Sequence, residues 1–199
     1  MRVILRNALL CALIVLALAP ASASASPTQW TSFEAPSELL DDSRRDVTLD
    51  EIRDFGVTRV RAIVYWRNFA PKPNSRRRPK FDASDPEAYP HGTWDRLDAL
   101  FQAATARRIS VQLTPTGPVP KWATRQRRDQ YSEPSPREFQ AWVTALGRRY
   151  GTRTAVWSIW NEPNHPDFLR PQRRQGNPAS PTLYRNLYLA GLRGLRASG

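Results

Sequence analysis

Cysteine is nearly absent from this chain. Cys11 is the single example, and it lies inside an apolar run, Ala8 to Ala19, behind the basic residues Arg2 and Arg6. Two small-x-small sites follow, Ala21-Ser22-Ala23 and Ala23-Ser24-Ala25. Basic, apolar and small residues in that order predict a secretory signal peptide over residues 1–25, and so a secreted or extracytoplasmic protein. The run is shorter than the roughly 20 apolar residues of a membrane span; an uncleaved N-terminal anchor is the alternative. Cys11 is poorly placed for a lipoprotein cysteine. Without the signal, no disulfide, thiolate nucleophile or cysteine metal site is available. A domain over residues 26–199 must then be stable on its core alone, and about 175 residues suffice for one domain.

Histidine is almost as scarce. His91 and His165 are the only two, each in a polar stretch without a His or carboxylate at ligand spacing, so neither a metal site nor a cofactor is expected. No Gly-x-Gly-x-x-Gly or phosphate-binding loop follows any apolar run, which argues against a nucleotide-binding open sheet. Lysine is confined to Lys72, Lys80 and Lys121, so the formal charge of +12 is nearly all arginine; Arg2 and Arg6 carry two of these charges, leaving +10. Arginine runs occur at 76–78, 127–128, 148–149 and 173–174. Their scatter reads as solvated loops and helix ends. A polyanion partner is the alternative reading. No nucleic acid partner is expected, and no membrane contact after signal removal.

What is present is alternation. Gln29 to Glu34 reads as a first strand. Leu49, Ile52 and Phe55 recur at helical spacing, with Gly56 as the stop. Thr58 to Trp66 is a Val/Ile-rich second strand. Asn68 to His91 is a long Pro- and Arg-rich loop, of a length that is usually functional or mobile. Thr93 is expected to cap a helix with Trp94, Leu97, Leu100, Phe101 and Ala104 on one face. Ile109 to Thr114 is a third strand, ended by Pro115. Ser135-Pro136-Arg137-Glu138 reads as a capping box ahead of Phe139, Trp142, Val143, Leu146 and Tyr150. Trp157 to Trp160 is a fourth strand. Ser180-Pro181 is expected to cap a last helix through Tyr184, Leu187, Leu192 and Leu195. The order β-α-β-α-β-α-β-α demands a parallel sheet. Aromatic and Pro-rich punctuation falls after the strands, as in a (β/α)₈ barrel whose active face is built from βα loops.

The fourth strand stops abruptly in Asn161-Glu162-Pro163-Asn164. Cleaving a glycosidic bond takes two carboxyl groups, one to protonate the leaving oxygen and one to attack or to activate water. Glu162, at a strand end among Trp157 and Trp160, is expected to be buried enough to hold its proton. The Asn161 amide can bond a sugar hydroxyl.

Trp160-Asn161-Glu162-Pro163-Asn164 resembles the fourth-strand signature of clan A glycoside hydrolases, retaining (β/α)₈-barrel enzymes that include family 5 cellulases and family 39 xylosidases. The resemblance implies that Glu162 is the acid/base and that Asn161 contacts the 2-hydroxyl. Gly56 to Arg61 resembles the approach to that clan's rim arginine, which makes Arg61 its counterpart. Pro120-Lys121-Trp122-Ala123 resembles the Pro-x-Trp-Ala after strand three. Tyr65, Trp66, Trp122 and His165 are further candidates for sugar contact. The ordinary alternatives are a barrel salt bridge for Arg61, core packing for Tyr65, Trp66 and Trp122, and a strand-end ion pair for Glu162. Trp94 and Trp142, at helical spacing, read as core.

The clan's nucleophile is a second Glu at the end of strand seven, and no Glu follows Glu162 here. The expectation is therefore the first four βα units of a barrel, an N-terminal fragment that is inactive alone. With outer strand edges unpaired, residues 24–199 expressed alone would be poorly soluble or would dimerise. The reading from a different class is a non-catalytic secreted remnant that binds carbohydrate or a basic-surface partner.

Overall fold

The β-branched and aromatic residues of Arg59-Val60-Arg61-Ala62-Ile63-Val64-Tyr65 suit an extended chain buried on one face, and this segment forms strand β2. In the computed structural model, which describes residues 30–199, β2 lies inside a parallel sheet with β1 (Ser32–Glu34), β3 (Ser110–Thr116) and β4 (Thr154–Trp157), in the order β1-β2-β3-β4. All three pairings are parallel. Helices α1 (Arg45–Asp54), α3 (Asp95–Ala106), α4 (Pro136–Tyr150) and α5 (Ser180–Arg196) follow the four strands in turn, and a single-turn α2 (Trp66–Phe69) continues directly from β2. These are the four expected βα units of a partial barrel. The last loop adds a small antiparallel pair that the sequence did not suggest, β5 (Arg173–Arg174) and β6 (Asn177–Pro178). The signal peptide expected over residues 1–25 lies outside the described residues. No described helix is long and apolar enough to cross a membrane.

The period of two along β2 and β3 divides their side chains between two faces. Val60, Ala62, Val64, Val111 and Leu113 are buried with Leu49 and Ile52 of α1, Leu97, Leu100 and Phe101 of α3, and Phe139, Trp142 and Leu146 of α4 in one continuous core. Arg59, Arg61 and Tyr65 alternate with that set, and their register partners are Ser110, Gln112 and Thr116. The barrel-side face is therefore largely polar.

Several local expectations are corrected. Trp157 to Trp160 is not the fourth strand; β4 ends at Trp157. The ladder nevertheless runs on, because Ser158 N–H donates to Leu113 O at 2.9 Å and Trp160 N–H to Pro115 O at 3.0 Å. Pro115 does not end β3, since it lies inside the strand and contributes only its carbonyl. Thr93 and Ser180 are not N-caps: Trp94 and Ala179 hold those positions without side-chain bonds. Ser135 does cap α4, accepting from Glu138 N at 3.4 Å. The reciprocal half of that box is missing, because the Glu138 carboxylate accepts from Arg78 Nε at 2.9 Å instead. Gly56, at φ +75°, takes the left-handed position behind α1 as expected.

The long loop after β2 is anchored. Trp122 Nε1 donates to Pro71 O at 3.1 Å, Lys121 N to Pro73 O at 2.8 Å, and Trp94 Nε1 to Pro86 O at 2.9 Å. Within the 76–78 arginine run, Arg78 is ion-paired and only half-buried.

Helix α5 buries Leu187 as expected, with Tyr184 and Leu195 half-buried against the core, and its glycines allow close approach at two points. Gly191 lies over Ile159, and a methyl added at Gly194 would approach Gln140 O at 2.6 Å and Val143 Cβ at 3.1 Å. Gly194→Ala is expected to destabilise the fold by about 1–3 kcal/mol, because backbone must move to admit the methyl. Gly151→Ala, where the added methyl meets nothing within 4 Å, should be neutral or stabilising by up to about 1 kcal/mol. Urea denaturation of the two variants checks the contrast. Among the described residues, β1 and β4 each pair on one side only. Residues 24–199 are therefore expected to self-associate with rising concentration, and sedimentation as a monomer throughout would refute this.

Candidate active site

Parallel pairing sets Glu34 beside Arg61 and Arg61 beside Gln112. From that position the Arg61 guanidinium reaches three acceptors on three segments. Nη1 donates to Glu34 Oε2 at 2.7 Å, Nε to Thr114 Oγ1 at 2.9 Å, and Nη2 to Asn161 Oδ1 at 2.6 Å. A planar fork with five N–H donors can serve all three directions at once. The Asn161 backbone N–H is held as well, donating to Thr116 Oγ1 at 3.0 Å. Asn161 is 7% exposed, whereas Glu162 beside it is exposed.

The backbone carries that change of direction at two non-glycine residues in the left-handed region, Trp160 at φ +71° and Glu162 at φ +38°. Each such residue costs about 1–3 kcal/mol and persists only where the surroundings impose it. Here the surroundings are the β3 ladder behind Trp160 and the two bonds to Asn161. The Trp160 indole turns into the core, edge-on to Phe139 at 5.3 Å and against Gly117. Its Nε1 is buried without an acceptor among the described residues. The burial expected for Glu162 among Trp157 and Trp160 is therefore not found.

Tyr65 ends β2 above Arg61 on the same face. Its phenol is pushed above the usual tyrosine range, first by burial, then by the Glu34 charge and, after an opposing effect of Arg61, by Glu162. Tyr65 thus feels both carboxylates. It also lines two rim cavities. One, of about 290 Å³, is shared with Arg67, Asn68, Pro118, Asp167 and Phe168. The other, of about 600 Å³, extends over Pro36, Leu40, Asn68 and Arg96.

The remaining candidates divide. Trp66 is 1% exposed and stacked on Trp142 at 5.3 Å with a 7° interplanar angle. Trp122 is 3% exposed, edge-on to Trp66 and covered by the Arg78 guanidinium. Neither ring offers an open face to a sugar, so both are core residues rather than cleft residues. Trp94 and Trp142 are core as expected. His165 is exposed on the loop behind Glu162; its N–H donates to Glu162 O at 2.9 Å and its Nδ1 accepts from Asp167 N at 3.3 Å. The sequence reading missed Glu34, Thr114, Thr116 and Asn68. Glu34 reads in the sequence only as the end of the first strand, and the strand pairing that brings it to Arg61 has no local signal.

Chemically, the arrangement presents one exposed carboxylate, one oriented amide and one phenol at the C-terminal ends of parallel strands. Because the folded chain holds the Tyr65 proton beyond its ordinary pKa of about 10, stability present below that pH is lost as pH rises through the folded value. Glu34→Gln and Glu162→Gln should each shift the Tyr65 titration back toward the ordinary range, Glu34→Gln by more. NMR titration of ring-labelled tyrosine, assigned with Tyr65→Phe, measures both. No movement in Glu162→Gln would remove Glu162 from this cluster.

The sequence model of the cellulase family, glycosyl hydrolase family 5, matches residues 21–170. No curated protein matches the chain significantly. Solved structures do. The virulence factor SghA from Agrobacterium tumefaciens aligns at 20% identity and TM-score 0.52 over 78% of this chain and 33% of its own. The β-glycosidase from the hyperthermophile Thermosphaera aggregans aligns at 18% and 0.53 over 77% of this chain and 40% of its own. The family 1 β-glucosidase from Thermotoga maritima aligns at 16% and 0.51 over 80% and 34%. At these identities the likeness is one of fold, and the chain spans about 33% to 40% of each of these structures. Two of these three are glycosidases by name, and four parallel βα units are the part of the barrel present here. With the family model matched over most of its length, the chain belongs to the cellulase family, glycosyl hydrolase family 5.

Proposed function

We propose that this chain is the acid/base half of a secreted retaining glycoside hydrolase acting on O-glycosyl bonds of a polysaccharide or oligosaccharide. The observation that carries the reading is the bond from Arg61 to Asn161 beside an exposed Glu162 at the strand ends. An amide with its oxygen committed to Arg61 leaves its NH₂ to donate to a sugar hydroxyl. A bond to the hydroxyl next to the anomeric carbon strengthens as the transition state forms. Glu162, protonated, gives its proton to the glycosidic oxygen as the bond to the anomeric carbon breaks. As a carboxylate it later takes a proton from the water that attacks the same carbon.

The second carboxylate must attack the anomeric carbon from the other side of the sugar. Glu34 is committed to Arg61 by an ion pair. In this reading the nucleophile comes from outside the four βα units, and the chain by itself does not turn over substrate. Tyr65 and His165 contribute to the sugar-binding surface. Trp66 and Trp122 hold the strand ends from behind.

The test is binding and turnover together. Glucose and its 2-deoxy analogue are titrated into the labelled chain by NMR. Wild type should prefer glucose, and Asn161→Ala should abolish the preference by weakening glucose alone, by about five- to tenfold for one hydrogen bond to a neutral group. Aryl β-glucosides should not be hydrolysed by the chain alone. Supplied with a barrel half that carries the second carboxylate, it should release aryl alcohol, and Glu162→Gln should cut that rate by about 10² or more. Equal binding of the two sugars by wild type would sink the assignment of Asn161. A Glu162→Gln chain as active as wild type would leave the non-catalytic, carbohydrate-binding reading.

A further inference from the structure

Arginines in this fold fall into two groups. Arg78, Arg107 and Arg149 are ion-paired with carboxylates, at 2.9 Å to Glu138, 3.0 Å to Asp50 and 2.5 Å to Asp98. Arg137, Arg148 and Arg193 have no carboxylate within ion-pair distance among the described residues, and all three are exposed. Tertiary packing brings these three to one place. They line a groove of about 470 Å³ between the outer face of α4 and the C-terminal end of α5, together with Ser84, Gln140 and Thr144.

Two of the guanidinium groups are positioned by neutral acceptors. Arg148 Nη1 donates to Ser84 O at 2.9 Å, and Arg193 Nε donates to Gln140 Oε1 at 3.1 Å. Such bonds orient a cation without neutralising it, and each group keeps further N–H donors free. Asp82, which lies in the field of Arg148, is occupied: its carboxylate accepts from Ser84 N at 2.9 Å and from Ser84 Oγ at 2.8 Å. A second cavity of about 440 Å³ adjoins the groove through Ser84 and Arg137, but Phe81 and the carboxylates of Asp82 and Glu138 line it, so it is not part of the site.

Arg137 and Arg148 are eleven residues apart on α4, which is about 16 Å along a helix. A single small anion cannot span that distance, but an extended polymer with regularly spaced charges can. Among the described residues no aromatic ring lines the groove, so it lacks the stacking platforms on which single-stranded nucleic acid is held. Its neutral lining of hydroxyl and amide groups suits sugar hydroxyls. Planar guanidinium forks match carboxylates in two-point contacts.

We propose that the α4/α5 groove binds an acidic polysaccharide carrying carboxylate groups, and that it holds the chain on such a polymer from the helical side of the fold, away from the strand ends. The site is separate from the cluster around Glu162 and does not depend on that cluster being catalytic.

Retention of the whole chain on immobilised polygalacturonate tests this, with hydroxyethyl cellulose and single-stranded DNA as competing polymers. Wild type should bind polygalacturonate, lose it with rising salt, and be displaced by neither competitor at equal mass. Replacing Arg137, Arg148 and Arg193 together by Gln should weaken binding by about tenfold or more, the sum of three modest ion pairs. Replacing Arg127, Arg128 and Arg185 together by Gln removes the same charge elsewhere and should change binding less than about threefold. Circular dichroism melts establish that both triple variants are folded. Glu162→Gln should bind as wild type does, so failure here is distinguishable from failure of the catalytic reading. Equal weakening by the two triple variants would reduce the effect to net charge and overturn the proposal, as would preferential capture by DNA or by the neutral polymer.

Discussion

One guanidinium holds the barrel-side face of this sheet together. Arg61 is bonded to the last residue of β1, to a threonine of β3 and to the asparagine before Glu162. The strands could pair without it, since their ladders are backbone. The loop after β4 draws on it, because that loop is strained at Trp160 and Glu162 and leaves the Trp160 indole N–H without an acceptor among the described residues. The unfavourable backbone is offset by the two bonds to Asn161, one from Arg61 and one to Thr116. What results is a fixed amide next to a carboxylate that faces solvent.

The tryptophans divide the labour differently from the polar residues. Trp66, Trp122, Trp142 and Trp160 pack with Phe139 behind the strand ends. Large rings stacked between α2, α4 and the loop after β3 stiffen the platform on which the polar cluster stands. The face a sugar would meet is built mainly from Tyr65, Asn161, Glu162 and the rim residues around Asn68 and Phe168. Aromatic content thus stabilises the strand ends, while the contacts available to a ligand are polar.

The order of elements was legible because each element advertises itself locally. Helical spacing in α1, α3 and α4, β-branched runs in β2 and β3, and the Gly56 stop need only near neighbours to be read. The Asn-Glu-Pro stretch was legible because Pro163 and the aromatic run before it mark a strand end. Caps were less so: Thr93 and Ser180 have the right side chains, but the first turns of α3 and α5 begin one residue away from where a capping geometry would place them. Pro115 misled for a related reason. A proline ends a strand only where its missing N–H is needed, and the β3 pairing asks only for its carbonyl.

The amino-acid sequence by itself determined the α/β order, the partial-barrel architecture, the family, and the identity of Asn161, Glu162 and Arg61 as the polar residues worth following. These depend on periodicity and on short motifs, which are properties of neighbouring residues. Tertiary structure alone decided that Glu34 is the partner of Arg61, that Trp66 and Trp122 face inward, that Glu162 is exposed, and that Arg137, Arg148 and Arg193 share one groove. Each of those turns on which residues from distant segments meet and which of them remain open to water, and such distances are set when the sheet and its helices pack.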